Sequence, residues 1–536
     1  MRPIAGTEKG GGINFESVTD LRFRWDTFMS RINARYAEKS NLHPSKFAQL
    51  HHVAPLLERR RQEALLLAIG PYNKPIRVQP TPKKPKIGNV LGIGTSQCGK
   101  STKSIAQDLD WVGSLVTNDI KREMRKKTAG WRSLLGPTFT IDTSGRGNRF
   151  DPLEGRNTER QLYDMAFLLL YNPNDKETYF TERATRMLTL LFLAAREETR
   201  LARLENPFAK EVRPLPYVGR ITRFGITKVA TILNSVSPFL AEQFLEEAYD
   251  PLRDYENTSK ARSDAFSTLK NRLFPLLTDD ILPIFDGCDF TAKDLLFSKE
   301  LVTVYFCWPE SELSSLKPLI RLVYGSLINN LTDMYDLYPE KVVQKVLLDF
   351  DEAGVTDLPE LPEKAATLNG RGISLSLNAQ DLEQFVTLYG QSRAWSLLNN
   401  LESKIVHRPA SLQTAKYFCE WLAYTSAFAS TESSHGASQS EGKSEREVPL
   451  LTVRELAELD DDDVLVFHRG YKPIRARRMG VSDYPVLQGR QELTPPPVPL
   501  LPRPEPPTFL PSWQRRYLRL GHCVSILVIA HPLLSH

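Results

Sequence analysis

The chain has 536 residues, of which 41% are hydrophobic and 25% charged, and its formal net charge at pH 7 is only +5. This composition is typical of a globular protein with a sizeable core, and the small net charge does not by itself indicate nucleic-acid binding. The cysteines at positions 98, 288, 307, 419 and 523 are widely spaced and odd in number, which argues against a disulfide framework and a zinc site. No signal peptide follows Met1, and the apolar run at 523–530 is too short to span a bilayer. We therefore expect no membrane-crossing segment.

Residues 1–80 are predicted to be a helical N-terminal region, because the segment that ends at Gly70 carries apolar residues at helical spacing. From 81 to 154 strand-like and helical runs alternate, with strands expected in NVLGIG, GSLVTND and TFTIDTS. Such alternation is typical of a parallel sheet with helices on its faces. Asp119 ends the second of these strands, where an open α/β sheet places ligand groups.

The stretch GTSQCGKST fits the pattern G-x-x-x-x-G-K-[ST] between a predicted strand and a predicted helix. Glycines at the fixed positions let the backbone turn its N–H groups toward a phosphate, and the helix N-terminus favours an anion. In this pattern the lysine reaches the β- and γ-phosphates and the serine hydroxyl ligates Mg²⁺. The sequence therefore predicts an ATP and Mg²⁺ site, with Ser101 as a metal ligand, formed by Gly94, Thr95, Ser96, Gln97, Cys98, Gly99, Lys100, Ser101 and Thr102.

Residues 155–285 change character, because apolar residues recur there at helical spacing with few strand signals. Strand-like runs resume in 286–425, at 301–308, 342–354, 372–380 and 403–408. The predicted fold is therefore α/β: a P-loop ATPase domain in two segments, 81–154 and 286–425, with an inserted all-α domain. We further expect a flexible Ser-rich linker at 426–450, closing strands at 451–480 with a turn at Gly470, and a disordered Pro-rich tail at 481–536.

The strand in VQKVLLDFDEAG supplies the acidic partner that a phosphate loop requires. Asp351 is predicted to hold Mg²⁺ and Glu352 to polarise the attacking water as the general base. Asp349 is an alternative metal ligand. We prefer Asp351 because the adjacent acidic pair offers both roles.

Two further residues follow the acidic pair in the order expected of a ring-forming motor. Gln380 ends the strand GISLSLNAQ, where an amide could sense the γ-phosphate. Arg371 lies in a glycine-flanked turn just before that strand, where an arginine could reach a neighbouring subunit's site and stabilise the charge of the transition state.

These motifs resemble the TraG/TraD-type coupling proteins of type IV secretion and bacterial conjugation over about residues 86–479. The resemblance includes the phosphate loop, NDIKRE followed by TAGWR, FDPLEG, the strand with DEAG, and FHRGYKPIRARRM. Its most specific part is the segment 351–390. Unlike many members of the family, this chain shows no transmembrane helices at its start.

The resemblance implies a hexameric RecA-like ATPase that acts at the cytoplasmic face of a secretion channel. Such a protein recruits a relaxase bound to DNA and translocates single-stranded DNA, and the all-α insertion is implicated in substrate recognition. Its partners would include the channel proteins, through which alone it would contact the membrane. Lys100 and Ser101 would bind nucleotide and magnesium, Asp351 and Glu352 would form the acidic motif, and Gln380 would follow them. Arg371 falls where the family can carry a trans-acting arginine.

Two other functions stay open at the level of the sequence. One is an FtsK/HerA-like motor that translocates double-stranded DNA, against which the helical insertion and the segment 351–390 argue. The other is a non-hydrolysing adaptor that uses ATP only for assembly, against which the intact Lys100, Ser101 and Glu352 argue.

Overall fold

A computed structural model describes residues 46–57, 63–81, 85–172, 175, 178–248, 264–356, 358, 360–435 and 438–502. In chain order its strands are β1 Leu65–Ile69, β2 Pro75–Val78, β3 Val90–Ile93, β4 Ser114–Asn118, β5 Thr138–Asp142, β6 Arg146–Gly147, β7 Thr303–Cys307, β8 Val346–Phe350, β9 Ile373–Ala379, β10 Ser403–Val406, β11 Tyr424–His435, β12 Ser438–Pro449, β13 Asp463–His468 and β14 Ile474–Arg477.

The α-helices are α1 Leu50–Val53, α2 Lys100–Asp110, α3 Glu123–Leu135, α4 Glu159–Leu170, α5 Tyr179–Glu205, α6 Pro214–Ile221, α7 Ile226–Val236, α8 Pro238–Ala248, α9 Asp264–Leu273, α10 Ala292–Phe297, α11 Leu313–Leu337, α12 Leu361–Leu368, α13 Leu382–Tyr389, α14 Gln391–Asn399, α15 Leu412–Leu422, α16 Val453–Ala457 and α17 Pro485–Gln491. Among the described residues, none of these helices is long and apolar enough to span a bilayer.

The chain divides into two compact units. The first comprises the described residues of Met1–Val112 and Ser374–Gly489. Its strands lie in the order β2-β1-β14-β13-β10-β3-β9, and β3 pairs in parallel with both β10 and β9. A Cβ on Gly92 of β3 would lie 2.3 Å from Oδ1 of Asn378 on β9. The Asn378 side chain therefore occupies space that a side chain at position 92 would need.

The second unit comprises the described residues of Gly113–Ile373 and Arg490–His536. Its strands lie in the order β8-β4-β7-β5-β6, and β8, β4, β7 and β5 are parallel. Strands β4, β7 and β8 are buried along their whole length, as expected for parallel strands covered on both faces. The predicted strands at 301–308 and 342–354 are thus confirmed as β7 and β8.

The described residues between β6 and β7 form helices and no strand, as the sequence predicted. The 27-residue helix α5 is central to this region and packs against α4, α6, α8 and α9. Its apolar side chains Met187, Leu188, Leu191 and Phe192 are fully buried. The domain boundaries predicted at 155 and 285 stay a prediction.

The N-terminal region is not wholly helical, and that prediction is wrong for the segment before Gly70. Leu65–Ile69 form strand β1, which pairs with β2 and with β14. All five residues of β1 are buried. A short run in which every residue is apolar is compatible with a buried strand and with a buried helix, so the hydrophobic periodicity could not distinguish them. Residues 1–45 lie outside the described part of the chain.

In the C-terminal region the predicted closing hairpin is confirmed, whereas the predictions for the linker and the Pro-rich tail need correction. The segment expected to be a linker contains β11 and β12, which pair as a two-stranded antiparallel ladder. The predicted closing hairpin is present as β13 and β14, with Gly470 at a φ of 86° in its turn. Residues 481–502 of the Pro-rich tail, predicted to be disordered, are described by the structure and include α17. Residues 503–536 lie outside the described part of the chain.

The first part of the tail packs on the second unit. A Cβ on Gly130 of α3 would lie 2.1 Å from the carbonyl oxygen of Leu493, so the tail crosses α3 at a glycine. The Arg125 side chain donates a 2.5 Å hydrogen bond to the Pro496 carbonyl, and the Gly147 amide of β6 donates a 2.8 Å bond to the Pro499 carbonyl. Proline lacks an N–H but keeps its carbonyl acceptor, which is the group used here.

Candidate functional site

The predicted phosphate loop connects β3 to α2 in the first unit. Gly99 directly precedes α2 in the left-handed region, with a φ of 103°, and Gln97 also has a positive φ, of 63°. Ser96, Gln97 and Thr102 are exposed. Alternation of left- and right-handed backbone at a helix N-terminus turns successive N–H groups to one side, which is the geometry of an anion-binding loop.

The Lys100 side chain folds back onto the loop that contains it. Its Nζ donates to the carbonyls of Gly94 at 2.6 Å and Thr95 at 2.7 Å, and it lies 3.7 Å from the Sγ of Cys98. Only 7% of Lys100 is exposed. The ammonium therefore stabilises the loop in this conformation, and contact with a phosphate requires it to exchange carbonyl acceptors for phosphate oxygens.

Two residues that the sequence interpretation missed lie against the two glycines of the loop. A Cβ on Gly94 would lie 2.6 Å from the Cβ of His407, and a Cβ on Gly99 would lie 3.1 Å from an Nη of Arg478. Arg478 also donates a 2.8 Å hydrogen bond to Asp462. His407 lay inside the predicted strand 403–408, so nothing in the sequence marked it as a residue of the loop, whereas the observed strand β10 ends one residue before it. The only sequence signal for Arg478 was the basic character of the closing hairpin.

His407 is held in its neutral form. It is 3% exposed, and burial, together with the nearby cations Lys100 and Arg478, lowers its pKa to about 3. A hydrogen bond with the Cys98 backbone opposes this shift, while Nδ1 has no hydrogen-bond partner among the described residues. A neutral imidazole adds no charge to a loop that already contains the Lys100 ammonium.

Gln380 follows β9 and so lies in the first unit with the loop. The Gly94 amide donates to the carbonyl of Ala379, the residue before Gln380, at 3.4 Å. The Gln380 amide donates a 2.9 Å bond to the side chain of Gln384, within the capping box that Asp381 forms at the start of α13. The backbone at the predicted sensor position is therefore fixed on both sides.

The predicted acidic motif follows β8 in the second unit. Asp349 is the fourth residue of that strand, is fully buried, and is in register with Thr117 of β4. Asp351 and Glu352 come directly after the strand, where the chain turns. Glu352 accepts a 3.2 Å hydrogen bond from the Nζ of Lys121. Asp349 therefore lies inside the strand, and Asp351 and Glu352 follow its carboxyl end, where open α/β sheets place ligand groups. Which of the two aspartates would hold the metal stays a prediction.

Asp119, at the end of the neighbouring strand β4, is a third carboxyl group close to this motif. Its side chain accepts hydrogen bonds from the amides of Met124 at 3.2 Å and Arg125 at 2.7 Å, at the start of α3. Burial raises its pKa to about 6, with a smaller contribution from the charge of Asp351, while the amide bonds oppose the shift. The carboxyl ends of β4 and β8 thus form an acidic edge.

Arg371 also lies in the second unit, at the end of the 3₁₀ turn Asn369–Arg371, and Gly372 follows it with a φ of 73°. Its guanidinium forms a bidentate pair with Asp336 through bonds of 2.7 and 2.8 Å. That hydrogen bonding lowers the pKa of Asp336 and raises the pKa of Arg371. Arg371 is therefore positioned by a residue of its own subunit, and a role at a neighbour's site would require it to leave or share Asp336.

Comparison with known proteins identifies the family. The family described as type IV secretory system conjugative DNA transfer matches residues 83–488. The chain belongs to this family. It is 23% identical over 453 residues to a conjugal transfer protein TraG of Escherichia coli, which covers 76% of this chain and 70% of that protein.

Solved structures of a coupling protein from conjugation share the fold. The bacterial conjugative coupling protein TrwBdeltaN70, in complex with sulphate, aligns with a TM-score of 0.59 at 14% identity, over 81% of this chain and 93% of that one. The plasmid coupling protein TrwB in complex with ADP and Mg²⁺ aligns with a TM-score of 0.56 at 14% identity, over 86% and 95%. The predicted α/β fold, a RecA-like P-loop ATPase with a helical insertion, is confirmed.

Proposed function

We propose that this protein is the ATP-driven coupling protein of a type IV secretion or conjugation system, which recruits a relaxase–DNA complex and translocates single-stranded DNA. The observation that carries the proposal is the loop between β3 and α2, with its left-handed Gly99 and its enclosed Lys100, in a chain of the conjugative DNA transfer family. Structures of TrwB with ADP and Mg²⁺ and with a non-hydrolysable ATP analogue support the same ligands here.

The loop supplies the groups that an ATP phosphate chain requires. Backbone N–H groups at the start of α2 would cradle the phosphates, and Lys100 would move from the loop carbonyls to the β- and γ-phosphates. Ser101 and Asp351 offer hydroxyl and carboxylate oxygens, the donor types that Mg²⁺ prefers. The metal, when bound, would neutralise charge that develops on the phosphate oxygens.

Glu352 is the proposed general base. It would accept the proton of a water whose oxygen bonds to the γ-phosphorus, while the bond from that phosphorus to the β–γ bridging oxygen breaks and ADP keeps the electron pair. Gln380 is the proposed γ-phosphate sensor. Arg371 would stabilise transition-state charge in a neighbouring subunit of a homo-hexamer, once it has been released from Asp336.

The cellular setting follows from membership of the family and belongs to the proposal. The protein would work at the cytoplasmic face of the membrane and contact the membrane through the channel proteins. Its cargo would be a relaxase with its attached single strand. An FtsK/HerA-like motor on double-stranded DNA remains the second candidate, and a non-hydrolysing adaptor the third.

ATP turnover of the purified chain, with and without a single-stranded oligonucleotide or a duplex of equal length, tests the proposal. Lys100→Ala should abolish turnover, and Glu352→Gln should bind a fluorescent ATP analogue normally while losing turnover, because only the proton acceptor is removed. Full turnover in Glu352→Gln would mean that the base is misassigned and would make Asp349 the next residue to test. Stimulation by the duplex alone would favour the second candidate, and tight binding without turnover would favour the adaptor.

A further inference from the structure

The side chain closest to the proposed base is a cation from a neighbouring strand end. Lys121 follows β4, and its Nζ lies 3.2 Å from Oε1 of Glu352. The Lys121 side chain is 45% exposed and that of Glu352 is 17% exposed. Interaction with Glu352, and with the charges of Asp351 and Glu310, raises the pKa of Lys121 despite the opposing cost of burial, so the ammonium stays charged. A solvent-accessible cation thus occupies an oxygen that the proposed chemistry needs.

This contact conflicts with the role of a base. An ammonium that donates a hydrogen bond to a carboxylate oxygen occupies the position from which a water would donate to that oxygen. An exposed ion pair of this kind is also weak, since water and salt compete for both partners. The contact therefore restrains Glu352 without locking it and is readily exchanged for another anion.

Lys121 begins a basic segment that offers a reason for such an exchange. Within residues 121–127 every position except 123 and 124 is Lys or Arg. Arg122 is already paired with Asp142 at 2.8 Å and Lys127 with Glu123. Lys121 differs from them in that its partner is the proposed base. A nucleic-acid backbone that approached this segment would present phosphates, which compete strongly for lysine ammonium groups.

We propose that Lys121 is a positioning residue that restrains Glu352 in the absence of nucleic acid and releases it when a phosphate of a bound strand takes its ammonium. This inference rests on the proposed ATPase function, with Glu352 as base, and adds to it a means by which bound DNA would accelerate hydrolysis. The chemical step is unchanged. What changes is the fraction of molecules in which Glu352 is free to accept the proton of water.

Steady-state ATP turnover with and without saturating single-stranded oligonucleotide tests this in the full chain. Lys121→Ala and Lys121→Gln should raise turnover without DNA by about two- to fivefold, the population change expected from loss of a typical exposed ion pair. Turnover with DNA should stay at the wild-type value, so the stimulation ratio should fall by the same factor. The KM for ATP should not change, because Lys121 acts on the base and not on nucleotide binding. Lys121→Arg should keep the wild-type ratio.

Lys210→Ala is the matched control, since Lys210 forms an exposed ion pair of similar length with Asp286, at 3.3 Å, in the helical region. It should leave both rates unchanged. Unchanged or reduced DNA-free turnover in both Lys121→Ala and Lys121→Gln would overturn the proposal, as would an equal rise in Lys210→Ala. Failure of the ATPase proposal has a different signature, namely wild-type turnover in Glu352→Gln or no turnover in the wild-type chain.

Discussion

His407 should make the stability of the first unit depend on pH in a way that a single substitution removes. Its side chain lies against Gly94 of the phosphate loop, is 3% exposed, and has a pKa lowered to about 3 by burial and by the charges of Lys100 and Arg478. In the unfolded chain the same imidazole titrates near its ordinary value of about 6.5. The folded state therefore binds fewer protons than the unfolded state between these two values.

The sign and size of the effect follow from linkage. A group that is less basic in the folded state loses stability as the pH falls, here from about the unfolded pKa of 6.5 downward. With a folded pKa of about 3, the loss between pH 7.5 and pH 5.5 is about 1.4 kcal/mol, and it grows by about 1.4 kcal/mol for each further unit until the pH approaches the folded pKa. Because the group is almost fully buried, solvent screening does not reduce this figure much.

The assay compares wild-type protein with His407→Leu by urea unfolding at pH 7.5, 6.5 and 5.5, followed by intrinsic fluorescence. The variant should lack the His407 contribution, so the difference in unfolding free energy between variant and wild type should shift in favour of the variant by about 1.4 kcal/mol from pH 7.5 to pH 5.5. Val406→Ala, which shortens the fully buried side chain next to it, should cost a constant amount at every pH. A pH-independent difference between His407→Leu and wild type would refute the assignment of a buried neutral imidazole.

Three further outcomes are expected. Gly94→Ala should weaken ATP binding and destabilise the protein by about 1–3 kcal/mol, because its Cβ would lie 2.6 Å from the Cβ of His407; Gly225→Ala, at a position with open space, is the control for an equilibrium titration. Affinity for single-stranded DNA should fall at least about tenfold between about 50 and about 200 mM salt, since phosphate contacts release counterions; salt-independent binding in a filter assay would contradict this. Arg371→Ala should lower turnover of the assembled ring steeply, given the roughly 10³–10⁵-fold effect of trans-acting arginines in GTPases. Mixing it with Lys100→Ala subunits should restore some activity, and no recovery in mixtures that co-assemble would argue for an action within one subunit.

Most strands of the two units could be predicted because each is a short apolar run between turn residues. Strand β1 could not, because its five consecutive buried residues carry no period and its partner β14 lies about 400 positions later in the chain. The prediction that the Pro-rich tail is disordered failed for a related reason. Composition predicts whether a segment can form its own core, but not whether a neighbour has acceptor sites for it, and the contacts of Pro496 and Pro499 are made by Arg125 and Gly147.

The candidate site likewise contains residues that could be predicted from the sequence and residues that could not. The phosphate loop is encoded in nine consecutive residues, so its glycines and its lysine could be identified without knowledge of the fold. Lys121 could not be assigned to Glu352 from the sequence, because their contact requires β4 and β8 to be neighbours. The same holds for Asp336, which is 35 residues from Arg371 and lies on helix α11. Glu352 and Arg371 could be selected from the sequence by their residue type and position. Their partners Lys121 and Asp336 are distant in sequence and could be found only from the folded structure.

Strand register explains why Gln380 and His407 are the residues that flank the start of the loop. In the first unit β3 lies between β10 and β9, and Ile93 is in register with Val406 on one side and Ala379 on the other. In parallel strands that share a register, the next residue of each strand emerges at the same edge of the sheet. Gly94, His407 and Gln380 therefore form a row across that edge. A shift of one residue in either pairing would exchange the face that each presents, so the sensor role proposed for Gln380 depends on this register and not on its distance from Lys100 along the chain.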